Sequence, residues 1–376
     1  MENIGKFIEE NKEELYRIHK ELCLIPAPSG VEDERAEYCK NLLISYGANG
    51  VYIDEAKNVI LPLNAEKSDK LTVMVAHTDT VFPDLEPMPF VDDGEIIKCP
   101  GVGDDTASLA VLLLVAKFLI KNNIKSENGL LIVANSCEEG LGNLKGTRQI
   151  FKDFAGRVAQ FISYDAASLK RITNKCVGSV RYEVEVKTEG GHSYGAFGNK
   201  NAIYYLSKIV NTIYALEVPE IAGEKTTYNV GIIEGGTSVN TIAQNAKMLC
   251  EYRSTSSEAL EIMKGRFFEI FDTVRAMGVE VNVTVVGERP SAKGVDENEI
   301  KRMCEVVSKV QKEVTGEDST YGSGSTDCNI PLSLGVPAVC FGVYVGGGAH
   351  TRGEWINKAS MLPGLEIALK TTLEFI

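Results

Sequence analysis

The sequence predicts an α/β protein, a sheet with helices on both faces, interrupted by a smaller inserted α+β domain. Three observations predict it. Short apolar runs alternate with helical patterns over roughly the first 176 residues. From about residue 177 to 287 the order becomes strand, helix, strand, strand, helix, strand, the succession of a ferredoxin-like unit. A further apolar run at 338–343 returns to the first pattern. The 376 residues suffice for one large domain plus a smaller one.

Ile4, Phe7, Ile8, Leu15, Ile18 and Leu22 recur at helical spacing and predict a first amphipathic helix that ends before PAPSG. Ser29, three residues before Glu32, reads as a capping box opening a second helix to about Ile44. Apolar runs at 59–63, 71–76, 130–135 and 160–163 read as strands. Between the second and third lies a helix over about 106–121, apolar nearly all round and hence buried. In the inserted segment, strands are expected at 179–187, 228–234, 246–253 and 280–286, with helices at 201–216 and 258–277. The main sheet is expected to resume near Pro290.

Composition narrows the function. With 44% hydrophobic and 24% charged residues the chain is an ordinary globular one. A net charge of −13 repels phosphate backbones, which argues against nucleic acid as partner. No apolar run reaches membrane-spanning length, and the acidic start MENIGKFIEENKEEL lacks the features of a signal peptide. Nine cysteines, an odd number without a CxxC pair, read as reduced core thiols of a cytoplasmic protein.

Of the four histidines, His19 reads as a solvated helical residue among Lys and Glu. The other three lie in AHTDT, GGHSYG and GGGAHTRGE, beside Gly-rich turns or strand ends. An apolar strand runs into His77, at the carboxyl edge where open α/β sheets bind ligands. Asp79, two residues on, can steady its imidazole. Alone, the pair fits a simple turn equally well. In GVGDDTASLAVLL, Asp104 and Asp105 sit between a Gly-rich turn and the buried helix. An aspartate there can bridge two cations, or merely cap the helix. A dinucleotide loop would need glycine at position 106, which is Thr106. Glu138 and Glu139 follow another strand, where paired glutamates can divide between general base and ligand, or form an acidic loop. Asp165 ends a fourth strand, and His350 follows the late one. Together these strand ends form a mixed nitrogen and oxygen ligand set suited to zinc and large enough for two ions.

The motifs resemble the di-zinc peptidases and deacylases that include peptidase T, acetylornithine deacetylase and the glutamate carboxypeptidases. AHTDT resembles the family's H-x-D strand, GVGDDTAS its G-x-x-D-D-K-G segment and SCEEGLGN its E-E pair. GGHSYGAFGNKNA, GGTSVNTIA and EYRS resemble stretches of its inserted domain. GSTDCNIPLSLGVPAV and GGAHTRGEWI resemble its closing segments. The likeness spans essentially the whole chain.

It implies a mixed sheet flanked by helices as catalytic domain, residues 1–176 and 288–376, with residues 177–287 as a lid and dimerisation domain. It also implies that His77 and Asp165 hold one zinc, Glu139 and His350 the other, and Asp104 both. Cobalt or manganese suits the same ligands. Glu138 would then be the general base, Asp79 would orient His77, and His192 would stabilise the oxyanion once the lid closes. Asn240 and Arg253 would contact substrate, Arg253 through its planar fork. The family further implies a homodimer through the inserted domain. Thr106 and Ala107 replace the family's Lys and Gly after the double aspartate, and Glu251 stands where Asp is commoner. Cys137, beside Glu138, reads as a packed thiol. An aminopeptidase of small peptides is the first reading. An N-acyl amino acid deacylase or carboxypeptidase is the second, and a non-catalytic binding protein on the same fold a third.

Overall fold

The computed structural model describes residues 3–124, 126 and 128–376, without the side chain of Lys67. The chain divides into two compact units, one of Met1–Cys176 with Lys293–Ile376 and one of Val177–Ala292. Among the described residues no helix is long and apolar enough to cross a membrane.

The larger unit is built on an eight-stranded mixed sheet. Its order is Tyr52–Ile53, Val59–Leu63, Gly129–Asn135, Leu71–His77, Val158–Tyr164, Ala338–Phe341, Arg171–Cys176 and Thr320–Gly324. The four strands from Gly129–Asn135 to Ala338–Phe341 are mutually parallel. Val59–Leu63 and Arg171–Cys176 flank them antiparallel. Central parallel strands are covered on both faces, which is why every residue of Leu71–His77 and Gly129–Asn135 is buried and why they read as unbroken apolar runs. Helix Thr106–Lys121 is buried from Thr106 to Leu119, between helices Ile4–Cys23 and Met361–Phe375 and the strand Leu71–His77. Phe7 and Phe118 meet edge to face there at 5.1 Å, a contact contributing about 0.5–1.5 kcal/mol beyond its burial.

Two expectations near the N-terminus are corrected. His19 is fully buried rather than solvated. It stands one turn after Leu15 and one before Cys23, on the apolar stripe of its helix. Its Nε2 donates to the Val102 carbonyl at 2.8 Å, and burial pushes its pKa down to about 4. The capping box does not form either. Helix Asp33–Ser45 starts after Glu32 without a side-chain cap. The Ser29 hydroxyl instead donates to Asp79 at 2.5 Å, and Glu32 accepts from the Gly30 and Cys137 amides at 2.8 and 3.1 Å. Long-range acceptors and donors thus outcompete the local reciprocal pair.

A second, four-stranded sheet orders Gly346–Gly347, Trp355–Asn357, Ile96–Lys98 and Val91–Asp92. Nothing in its short strands announces it. It carries His350 at the tip of one hairpin and leads from Lys98 into the loop ending at Asp104 and Asp105. The main-sheet strand stops at Phe341, so His350 belongs to this second sheet and not to the end of the first.

The smaller unit is an antiparallel sheet ordered Thr226–Gly235, Asn245–Ser254, Gly178–Lys187 and Glu280–Arg289, with helices Ala202–Tyr214 and Ser257–Arg275. Its order and β-α-β-β-α-β succession are those of a ferredoxin-like fold. Tyr182, Tyr252, Phe267 and Phe271 form the centre of its own core. The last strand pairs through Arg289 with Ser179, past the expected residue 286.

Candidate metal centre

Three parallel strands end side by side. His77 is level with Asn135, and Val75 with Ser163, so Asp165 emerges two residues beyond that level, beside His77. His77 is buried, and its Nδ1 lies 3.0 Å from the Asp79 carbonyl oxygen and 3.4 Å from Asp79 Oδ1. With Nδ1 donating there, Nε2 is the nitrogen that can hold a cation. That Nε2 lies 3.1 Å from Asp104 Oδ1.

Asp79 also accepts from the backbone amides of Glu138 and Glu139, at 2.9 Å each. One fully buried carboxylate therefore joins the His77 strand to the glutamate turn. That turn begins at Cys137, in left-handed backbone conformation with φ of 55°. The Cys137 thiol donates to Glu32 at 3.2 Å, and burial together with Glu32 pushes its pKa up to about 12, so it is a packed thiol rather than a reactive one.

Asp104 Oδ2 lies 3.2 Å from His350 Nε2, which in turn is 2.8 Å from Glu139 Oε1. The two oxygens of Asp104 thus face two different imidazoles. Candidate donor atoms of His77, Asp104 and Glu139, and of His77, Asp105 and Asp165, lie within 4.8 Å of one another. The five expected ligands fall in one cluster. Asp105, named in the sequence but given no role, joins it, and its Oδ2 accepts the His77 amide at 3.0 Å.

Glu354 was missed. It is buried and accepts from the amides of Gly101, Gly103 and Asp104 at 2.7, 2.8 and 2.8 Å, fixing the loop that presents Asp104. Burial pushes it up to about 7. Gly103 is required at that point, since a Cβ would lie 2.7 Å from Tyr344 Cε2 and 3.0 Å from Glu354 Oε1. Its one sequence signal is a lone acid closing the Gly-rich GGGAHTRGE. Asp327 was also missed, and accepts from Asn135 and Thr147 at 2.7 and 2.5 Å.

The charge balance fits divalent cations. Burial, then Asp104, pushes Asp165 up to about 7, and burial holds Asp105 well above the carboxylate range. Hydrogen bonds to Asp104 and Glu139 push His350 up to about 10. Burial opposes charge on His77, yet Asp104 and Asp79 hold it well above its ordinary value. Without cations the cluster must keep protons on its own donor atoms, and cations would replace those protons. Because the metal-free pKa values of His77, His350, Asp105 and Asp165 are raised, protons compete more strongly at those donors as pH falls. Metal affinity is therefore expected to rise from about pH 6 to pH 8, with proton release on binding. Calorimetric metal titration in buffers of different ionisation enthalpy checks this. Binding that is independent of pH and releases no proton would contradict the fit.

In the smaller unit, His192 pairs with Thr241 across a two-stranded ribbon, and Asn240 accepts through its carbonyl from the Ser193 amide at 2.9 Å. His192 Nδ1 accepts from the Tyr194 and Gly195 amides at 3.2 and 3.3 Å, which puts its proton on an exposed Nε2. Arg253 donates through Nε and Nη2 to Glu251, at 2.7 and 3.0 Å.

The family model described as Peptidase family M20/M25/M40 matches residues 73–374. Succinyl-diaminopimelate desuccinylase of Corynebacterium glutamicum is 25% identical over 340 residues, 88% of this chain and 88% of its own. Aminopeptidase PepT from Bacillus cereus shares the fold with a TM-score of 0.74 at 22% identity, covering 96% of this chain and 98% of that one. A tripeptidase from Staphylococcus aureus does so with 0.75 at 21%, covering 96% and 97%. The chain belongs to peptidase family M20/M25/M40 and is a metal-dependent hydrolase of that family.

Proposed function

We propose that the protein is a di-zinc aminopeptidase of small peptides. The observation that carries the reading is Asp104, whose two carboxylate oxygens reach His77 and His350 separately, at 3.1 and 3.2 Å. A carboxylate so placed suits a shared ligand of two cations, with Asp165 on the His77 side and Glu139 on the His350 side. When bound, two zinc ions lower the pKa of a water towards neutrality and polarise the scissile carbonyl. Glu138 takes the attacking water's proton and returns it to the leaving amine. Asp79 keeps the His77 imidazole in the tautomer that offers Nε2. His192, with its proton on Nε2, is assigned the donor to the developing oxyanion. Asn240 and Arg253 are assigned to substrate. With Nε and Nη2 of Arg253 on Glu251, a substrate carboxylate takes the Nη1 side.

Likeness to the Bacillus cereus aminopeptidase and the Staphylococcus aureus tripeptidase supports peptides as substrates. Likeness to a desuccinylase favours a second reading, removal of an acyl group from an amino acid. A free tripeptide compared with its N-acetylated and C-amidated forms separates them. N-acetylation is expected to lower kcat/KM at least about 10²-fold, because a site built to pair an amine is left unpaired without it. Preferred cleavage of the acetylated form would instead establish the deacylase.

Two further parts of the reading have structural support. The strand Thr226–Gly235 lies at the edge of its sheet with Ile232 and Ile233 exposed, a surface suited to pairing with a second copy in a homodimer. All nine cysteines are buried thiols, which suits the reducing cytoplasm.

A further inference from the structure

Arg35 lies in helix Asp33–Ser45 and is 3% exposed. Its guanidinium meets only neutral oxygens. Nη2 donates to the carbonyls of Leu22 and Ile25 at 2.8 and 2.7 Å. Nη1 donates to the Thr78 carbonyl at 2.8 Å and the Thr106 hydroxyl at 3.3 Å. Among the described residues it forms no salt bridge. A guanidinium taken out of water without a carboxylate partner is costly, and it persists where nearby negative charge offsets the loss. Burial lowers its pKa from the ordinary arginine value; Cys23, Cys39 and Asp79 oppose that shift, and Asp79 is the carboxylate among them.

The acceptors identify what Arg35 holds. Thr78 stands between His77 and Asp79, and its amide and hydroxyl are both bound to the Asn135 carbonyl, at 2.7 and 3.0 Å. That leaves the Thr78 carbonyl turned to Arg35. Thr106 directly follows Asp104 and Asp105, and is one of the two residues, with Ala107, at which this chain departs from the G-x-x-D-D-K-G segment. One nitrogen therefore ties together the two backbone segments that present His77 and Asp104. The second nitrogen anchors both to the end of helix Ile4–Cys23. Arg35 is too far back to be a ligand, since Thr78 and Thr106 stand between it and the donor atoms.

We propose that Arg35 is a positioning residue of the metal centre: it sets the spacing of His77 and Asp104 through Thr78 and Thr106, and so sets metal affinity. This rests on the reading of the centre as a metal site. Lysine keeps the charge but offers one nitrogen where Arg35 uses two, and methionine keeps bulk without donors.

The test compares the whole protein with Arg35→Lys, Arg35→Met and Thr106→Val. Zinc affinity is measured by competition with a chromophoric chelator, the visible spectrum is taken with cobalt in place of zinc, and the metal-free proteins are melted. Arg35→Met is expected to weaken zinc binding about 10–100-fold and shift the cobalt bands, as loss of an outer partner of a ligand does. Arg35→Lys should fall between it and wild type, and Thr106→Val should weaken binding a few-fold. A lower melting temperature with unchanged zinc affinity and cobalt spectrum would overturn the proposal in favour of a purely structural arginine. Should Arg35→Met fail to fold, wild-type affinity in both Arg35→Lys and Thr106→Val overturns it equally. Wild-type protein that binds no zinc at all would overturn the metal-site reading and the proposal with it, an outcome distinct from the others.

Discussion

Glu138→Gln is expected to retain full metal content and lose about 10²–10⁴-fold in kcat, the contribution typical of a general acid–base group. The substitution keeps the shape of a side chain that is 3% exposed, and leaves the Glu138 amide on Asp79 Oδ1 at 2.9 Å. Asp79 can therefore go on holding the turn that carries Glu139. None of His77, Asp104, Glu139, Asp165 and His350 is altered, so nothing in the candidate ligand set changes. What is lost is the ability to accept a proton from the attacking water and deliver it to the leaving amine. Substrate binding does not use that ability, so KM should change little while kcat and kcat/KM fall together. Metal analysis beside steady-state kinetics checks this. Activity near wild type would remove Glu138 from the mechanism.

The parts of this site legible in the sequence are those that end buried parallel strands. Leu71–His77 and Gly129–Asn135 are apolar throughout because both faces of the sheet are covered, and the polar residues after them stand out for that reason. The two strands at the far side, Arg171–Cys176 and Thr320–Gly324, read RITNKC and TYGSG. Their partial exposure leaves no apolar run to detect. His19 failed in the opposite direction. Arg17, Lys20 and Glu21 nearby in sequence are charged, but its neighbours on the helix face are Leu15 and Cys23, and the face decides burial.

The supporting residues were harder to read because their partners are remote. Glu354 binds amides some 250 residues earlier in the chain, with separations of 253, 251 and 250. No local periodicity encodes such a contact. Ser29 and Glu32 were assigned to a local cap by a pattern that is physically sound, yet Asp79 and the Cys137 amide are the partners they meet. In both cases the ligands are visible as residue types at strand ends, while the groups that aim them belong to loops brought together only by the fold.

Asp104→Asn is expected to lose activity for a different reason, and the contrast with Glu138→Gln decides the roles. Asparagine fits the same space, but it is neutral, and one of its two terminal atoms is an amide nitrogen with no lone pair for a cation. Since Asp104 faces His77 with one oxygen and His350 with the other, the change should disturb both halves of the centre together. Bound zinc should fall well below the wild-type value, and kcat/KM by about 10²–10³-fold, comparable to losing one preorganised electrostatic group. A second readout needs no metal. Hydrogen bonds to Asp104 first, and to Glu139 second, hold His350 up at about 10 in the metal-free protein. Removing the first negative partner should bring the His350 titration down toward the ordinary histidine range, leaving the smaller upward pull of Glu139. Nuclear magnetic resonance of the imidazole would follow it. If the histidine titration falls while zinc content stays at the wild-type level, Asp104 is an ion-pair partner and not a shared ligand. Loss of zinc in Asp104→Asn together with its retention in Glu138→Gln would separate the group that holds the cations from the group that moves the proton.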